Sequence, residues 1–137
     1  MKPSQEDFDD IKYLLSESDY HFDWEEQELN DYVRVPIELN QFFVIRDEGR
    51  LPLSFATWAY PSADHVVKYL EEKKFMKEGY DGGGLEPWLI DFIAIGGKRN
   101  IAFAFRKLKS VLSMRGHNSA YWFRTETNKL GFHKWQV

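Results

Sequence analysis

The 137-residue chain contains no cysteine, which excludes a disulfide framework, a thiolate zinc site and a cysteine nucleophile, and permits a reducing compartment. Its four histidines, His21, His65, His117 and His133, show none of the close pairing of a metal site, and no metal is predicted. No stretch approaches the roughly 20 apolar residues of a membrane span. The N-terminal Met1, Lys2, Pro3, Ser4 and Gln5 lack an apolar signal core, so the expectation is a protein without stable membrane insertion that stays in the cytoplasm. Acidic residues nearly vanish from the last third: residues 92–137 hold 1, Glu126, against 9 basic, whereas residues 1–91 hold 21 acidic and 9 basic. The net charge of −4 therefore hides a basic second part, whose field suits nucleic acid, an anionic membrane, a phosphate-bearing ligand or an acidic protein partner. No motif that reads nucleic acid accompanies it, and nucleic acid is not an expected partner.

What is present is a core. A chain of this length with 43% hydrophobic and 17% aromatic residues predicts a single domain over residues 1–137. Ser4 followed by Gln5, Glu6 and Asp7 reads as a helix start, and Phe8, Ile11, Leu14 and Leu15 continue at helical spacing to residues 16–19. Residues 20–30 mix aromatics with a heavy acidic load and read as irregular. Residues 42–45 and 53–58 flank Asp47, Glu48 and Gly49 as a β-hairpin. Pro61 and Ser62 open a second helix with Val66, Val67 and Leu70 on its buried side. The run Gly82, Gly83, Gly84 reads as a flexible connection. After it come a strand over residues 88–95, a loop over residues 96–100, and a helix with Ile101, Ala104, Phe105, Leu108 and Leu112 on its core face. Gly116 closes that helix, and strands over residues 120–123 and 130–135 turn about Thr127 and Asn128. This order describes an α/β (α+β mixed) sheet of about five strands.

Asp91 is the anomaly in the pattern. Period two places Leu89, Asp91, Ile93 and Ile95 on one strand face, so a carboxylate interrupts a row of aliphatic groups. Such a group must be hydrogen-bonded, paired with a cation, protonated or open to a cleft; a structural aspartate satisfies the same pattern. His21 is the natural proton acceptor to set beside it, since a carboxylate fixes an imidazole's tautomer and raises its basicity; a histidine among Tyr20, Phe22 and Trp24 also reads as structural. Ser18 lies three residues before it, able to orient the ring or to end a helix. Gly96, Gly97, Lys98, Arg99 and Asn100 lead into a helix whose free N–H groups suit a phosphate or phosphopantetheine, or form a plain turn.

Three segments carry a resemblance. Ser18-x-x-His21-x-x-Trp24, then Thr57, Trp58 and Ala59 leading to Val67, Lys68, Tyr69 and Leu70, then Trp88 through Ala94 with Asp91 and a following glycine loop, resemble in order and spacing the toxin-activating lysine acyltransferases. The likeness runs from about residue 12 to residue 134 and implies a single-domain GNAT-like acyltransferase fold, a central mostly antiparallel sheet flanked by helices. It also implies transfer of a fatty acyl group from acyl-acyl carrier protein, the donor substrate, to internal lysines of an RTX-type protoxin, by a protein that commonly forms a homodimer. The family's essential histidine falls on His21, its aspartate on Asp91 and a contributing serine on Ser18. The chain is shorter than typical members at its C-terminal end. The Arg/Gln-x-x-Gly-x-Gly/Ala loop of GNAT enzymes is absent, which points away from coenzyme A and toward a carrier protein. Lys98, Arg99, Arg106, Lys107, Lys109 and Arg115 then offer the acidic carrier a docking face, with the pantetheine phosphate at Gly96 to Asn100. The rival expectations are a noncatalytic GNAT-like module that binds a carrier protein or toxin-like partner, and a GNAT-like transferase using acyl-coenzyme A on a small amine.

Overall fold

The strand-forming runs on either side of Asp47 pair as the sequence predicts. In the computed structural model, which describes residues 5–17, 24–72, 75–123 and 132–137, β1 (Phe42–Arg46) and β2 (Pro52–Ala59) form an antiparallel hairpin. Asp47 fastens its turn: the Leu51 backbone N–H donates to Asp47 Oδ1 at 2.9 Å. Then β3 (Trp88–Ala94) pairs antiparallel with β2, β4 (Ser119–Phe123) parallel with β3, and β5 (Phe132–Gln136) antiparallel with β4. Among the described residues these make one five-stranded sheet in the order β1-β2-β3-β4-β5. The parallel step from β3 to β4 needs a crossover, which helix α5 (Lys98–Met114) supplies. The result is the helix-flanked, mostly antiparallel mixed sheet of a GNAT-like fold.

Both faces of the sheet are covered. On one, α1 (Gln5–Ser16) buries Ile11, Leu14 and Leu15 against Phe55 of β2 and against Val33 and Ile37 of a second helical stretch. Each such side chain contributes about 1.5–3 kcal/mol relative to exposure. Arg46 ties α1 to the hairpin, its Nε 2.7 Å from Asp10 Oδ2 and its Nη2 2.8 Å from Asp7 Oδ1. On the other face, Leu108 and Leu112 of α5 pack on Phe43, Ala56, Trp58 and Ala120. A third cluster joins Tyr69 of α4 (Ala63–Glu72) to Phe75, Tyr80, Ala59 and Trp88. Ser62 caps α4 as its position predicts, its Oγ accepting the His65 backbone N–H at 3.3 Å.

Several expectations need correction. The acidic segment before residue 30 is not irregular throughout: Glu25 and Glu28 form a capping box that starts α2 (Glu26–Leu29), which runs through a π-helical turn, Asn30–Arg34, into α3 (Val35–Glu38). Pro36 has no N–H to return to the carbonyl four residues back, and the helix widens just ahead of it, the Val35 N–H reaching Asn30. On α4, Val66 and Leu70 pack against the third cluster as expected, but the buried residue is Tyr69 and Val67 is 51% exposed. On α5, Ala104, Leu108 and Leu112 are buried as expected, but Ile101 and Phe105 are 40% and 37% exposed. Two of the three glycines are pinned rather than loose: the N–H groups of Gly82 and Gly84 both donate to the Tyr60 carbonyl at 3.0 Å, and a Cβ on Gly84 would overlap the Pro61 carbonyl oxygen.

Candidate active site at the parting of β3 and β4

Two irregularities of β3 make the site. Its register with β2 steps from Thr57↔Asp91 to Trp58↔Leu89, so Ile90 is one residue more than the ladder accommodates, a β-bulge that re-aims the side chains beyond it. Its register with β4 consists of Trp88↔Tyr121 and Leu89↔Trp122. Among the described residues the ladder between the two strands ends there, which leaves the described part of the sheet split at the level of Asp91. The bulge also corrects the predicted face: Leu89 packs on the α5 side, whereas Ile93 and Ile95 pack on the α1 side. Asp91 keeps company with Ile93 and Ile95, not with Leu89.

The surroundings of Asp91 are phenolic. Tyr32 comes from the π-helical turn, Tyr69 from α4 and Tyr80 from the 3-10 turn Lys77–Tyr80. Burial pushes all three phenol pKa values up, and the Asp91 charge pushes each of them further, with Asp31 and Glu28 adding to the rise at Tyr32. The three rings therefore stay protonated and can donate hydrogen bonds across the physiological range. Asp91 itself is half-buried. Its backbone N–H donates to Thr57 Oγ1 at 3.2 Å, the Thr57 side chain hydrogen-bonds the Tyr80 hydroxyl, and that hydroxyl reaches the Tyr32 carbonyl at 3.5 Å. Pro36, four residues on, has no N–H to give to the Tyr32 carbonyl. A chain of polar groups thus runs from the bulge to the π-helical turn. Tyr32 is itself held by donating to the Phe75 carbonyl at 2.6 Å.

The glycine loop lies at the other end of β3. Gly96 and Gly97 take φ of 91° and 97°, a region open to glycine, and Gly97 caps α5 without a side-chain bond. The first turn of α5 carries no acidic residue, so the positive end of the helix dipole is reinforced by Lys98 and Arg99 instead of being neutralised. The Asn100 amide donates to the Ile95 carbonyl at 2.7 Å and holds the loop closed on the end of β3. His21 and Ser18 lie outside the described residues. The structure therefore sets Asp91 and the loop from Gly96 to Asn100 at successive levels of one strand and its exit. Thr57, Tyr32, Tyr69 and Tyr80 are additions: Thr57 and Tyr69 fall inside segments the sequence singles out, but no periodicity marks them as neighbours of Asp91.

A mixed sheet split beside a half-buried carboxylate, with an uncapped helix N-terminus at the end of the same strand, defines the GNAT-like class of acyl-transfer folds. Comparison with known proteins makes the assignment specific. The sequence profile of the RTX toxin acyltransferase family matches residues 3–136, and the chain belongs to that family. It is 29% identical over 84 residues to the leukotoxin-activating lysine-acyltransferase of Aggregatibacter actinomycetemcomitans, covering 61% of this chain and 49% of that protein. Over 85 residues it is 28% identical to the RTX-I toxin-activating lysine-acyltransferase of Actinobacillus pleuropneumoniae, covering 62% and 49%. The RTX-II toxin-activating lysine-acyltransferase of the same organism is 26% identical over 93 residues, covering 68% and 58%. The chain matches about half the length of these curated relatives.

Proposed function

We propose that the chain is a protein-lysine acyltransferase that takes a fatty acyl group from acyl-acyl carrier protein and transfers it to internal lysine ε-amines of an RTX-type protoxin. The observation that carries this reading is the match of one acyltransferase family along residues 3–136; the split sheet with Asp91 beside it supports it. A lysine amine has a pKa near 10.4 and is mostly protonated at neutral pH, so the attack on the thioester needs a base. In the proposed reaction the ε-ammonium first gives one proton to solvent, His21 accepts the second as nitrogen bonds to the acyl carbon, and Asp91 holds the imidazole and stabilises its charged form, with Ser18 assisting. The tetrahedral oxyanion collapses, the carbon–sulfur bond breaks, and the thiolate of the carrier's phosphopantetheine takes the proton from His21. The first turn of α5, with Gly96, Gly97, Lys98, Arg99 and Asn100, would receive the phosphate of that arm.

The test is intact-mass analysis of an RTX-type acceptor incubated with the protein and acyl-acyl carrier protein. The expected outcome is acyl mass added to lysine by the wild type, and a loss of about 10²–10⁴-fold in rate for His21→Ala and Asp91→Asn with unchanged circular dichroism. Undiminished transfer by Asp91→Asn would sink the assignment of that residue, and equal use of acyl-coenzyme A would overturn the choice of donor.

A further inference from the structure

The α5 face of the sheet carries a groove beside the split. It has a volume of about 460 Å³ and is lined by Ala102, Phe105, Arg106, Lys109, Trp122 and Trp135, which places it in the ordinary size range of small-molecule sites. Its floor is aromatic. Phe105 stacks on Phe92 of β3 at 4.4 Å and meets Trp135 edge-on at 5.8 Å, and Trp135 meets Trp122 edge-on at 6.2 Å. The rings thus support one another and leave apolar surface facing outward, with Phe105 37% exposed at an apolar position of a core-packed helix. Trp122 is the register partner of Leu89, the last residue of β3 before the strands part, so the groove begins where the split begins.

Charge identifies what belongs there. Arg106 and Lys109 stand at the rim, with the Lys109 ammonium 5.3 Å from the Trp135 ring centroid, and Lys98 and Arg99 begin the same helix. An apolar floor under a cationic rim is complementary to a linear hydrocarbon chain attached to an anionic carrier. We propose that this groove holds the acyl chain of the thioester donor, with Phe105, Trp122 and Trp135 bounding the chain and Arg106 and Lys109 attracting its anionic carrier. This rests on the acyltransferase reading and deepens it: chain-length preference is set on the α5 face.

The experiment is displacement of the fluorescent fatty acid cis-parinaric acid from the full chain by octanoate, decanoate and dodecanoate. A methylene half-buried on the groove floor gains about twofold in affinity, so each step of two methylenes should gain about fourfold. Ala102→Trp, at an exposed position of α5, fills the groove without disturbing the buried face; it should lose dodecanoate binding at least tenfold with its melting temperature retained. Arg106→Glu should weaken dodecanoate and leave dodecanol unaffected. Dodecanoate binding unchanged in Ala102→Trp overturns the proposal, as does affinity independent of chain length. A concentration-dependent dimer that Ala102→Trp dissociates and dodecanoate does not would assign the face to a second copy, and overturns it too. Since the binding readout needs no acyl transfer, its result is separate from the fate of His21 and Asp91 as catalytic residues.

Discussion

Thr57 is fully buried, and its hydroxyl receives the Asp91 backbone N–H in the bulge while bonding the Tyr80 hydroxyl. Thr57→Val keeps the shape of the side chain and removes that oxygen. The Asp91 N–H then loses this acceptor. An unsatisfied buried donor costs about 1–3 kcal/mol; because Asp91 is only half-buried, some of this is offset by water, but the Tyr80 hydroxyl also loses a partner, and we expect about 2 kcal/mol in total. At roughly 2.1 cal/mol/K of unfolding entropy per residue, that corresponds to a fall of about 7 °C in Tm for this chain. Thr57→Ser retains the oxygen and deletes one methyl, and should cost about 1 kcal/mol. The assay is urea unfolding at pH 7 followed by tryptophan fluorescence, with the three proteins compared at equal slope. The reasoning is refuted if Thr57→Val lies within 0.5 kcal/mol or so of the wild type, or if the serine variant is as unstable as the valine variant.

Two further outcomes follow from the same structure. Tyr32, Tyr69 and Tyr80 have pKa values raised above 10.0 in the fold, so the stability they confer is complete below the unfolded value of about 10 and is lost as pH rises above it; each adds up to about 1.4 kcal/mol per pH unit to the slope. Urea midpoints taken from pH 8 upward should stay level to about pH 9.5 and then drop, and Tyr80→Phe should flatten the drop. Arg46→Ala removes the cation shared by Asp7 and Asp10; at about one-fifth side-chain exposure this should cost on the order of 1–2 kcal/mol, less at high salt, and an unchanged melt at low salt would show that α1 is held by Ile11, Leu14 and Leu15 alone.

The parts of this fold that are legible in the sequence are those where local pattern and tertiary demand coincide. The β1–β2 hairpin is marked by its turn at Asp47, and α5 by its Ala104, Leu108 and Leu112 spacing. Asp91 is legible for the opposite reason, as a conflict between residue and pattern. What is not legible depends on events without period. The bulge at Ile90 moves Leu89 to the other face of the sheet, and no alternation rule contains an extra residue. The helix from Glu26 onward is hidden by acidic residues that read as loop, because its start depends on the Glu25–Glu28 capping box and its middle widens ahead of Pro36. The polar chain through Thr57, Tyr80 and Tyr32 joins residues 34 and 48 positions apart, a separation that only the folded chain can close. Phe105 and Ile101 sit on the helical stripe the sequence assigns to the core, yet both remain partly exposed beside the point where the described β3–β4 ladder ends.

The short β3–β4 ladder has a mechanical consequence. With two register pairs between β3 and β4 among the described residues, the described sheet consists of two plates, β1-β2-β3 and β4-β5, each laddered within itself and joined along a short seam. Opening free energies in a protein are lowest where few hydrogen bonds and little packing must be surrendered, and the seam is such a line. Helix α5 is then a strut: it is anchored to the first plate through Trp58 and to the second through Ala120 by Leu108 and Leu112, and its stiffness fixes the angle between them. A cavity-forming change at Leu108 would act at a distance, loosening the hinge between the plates before it unfolded either one.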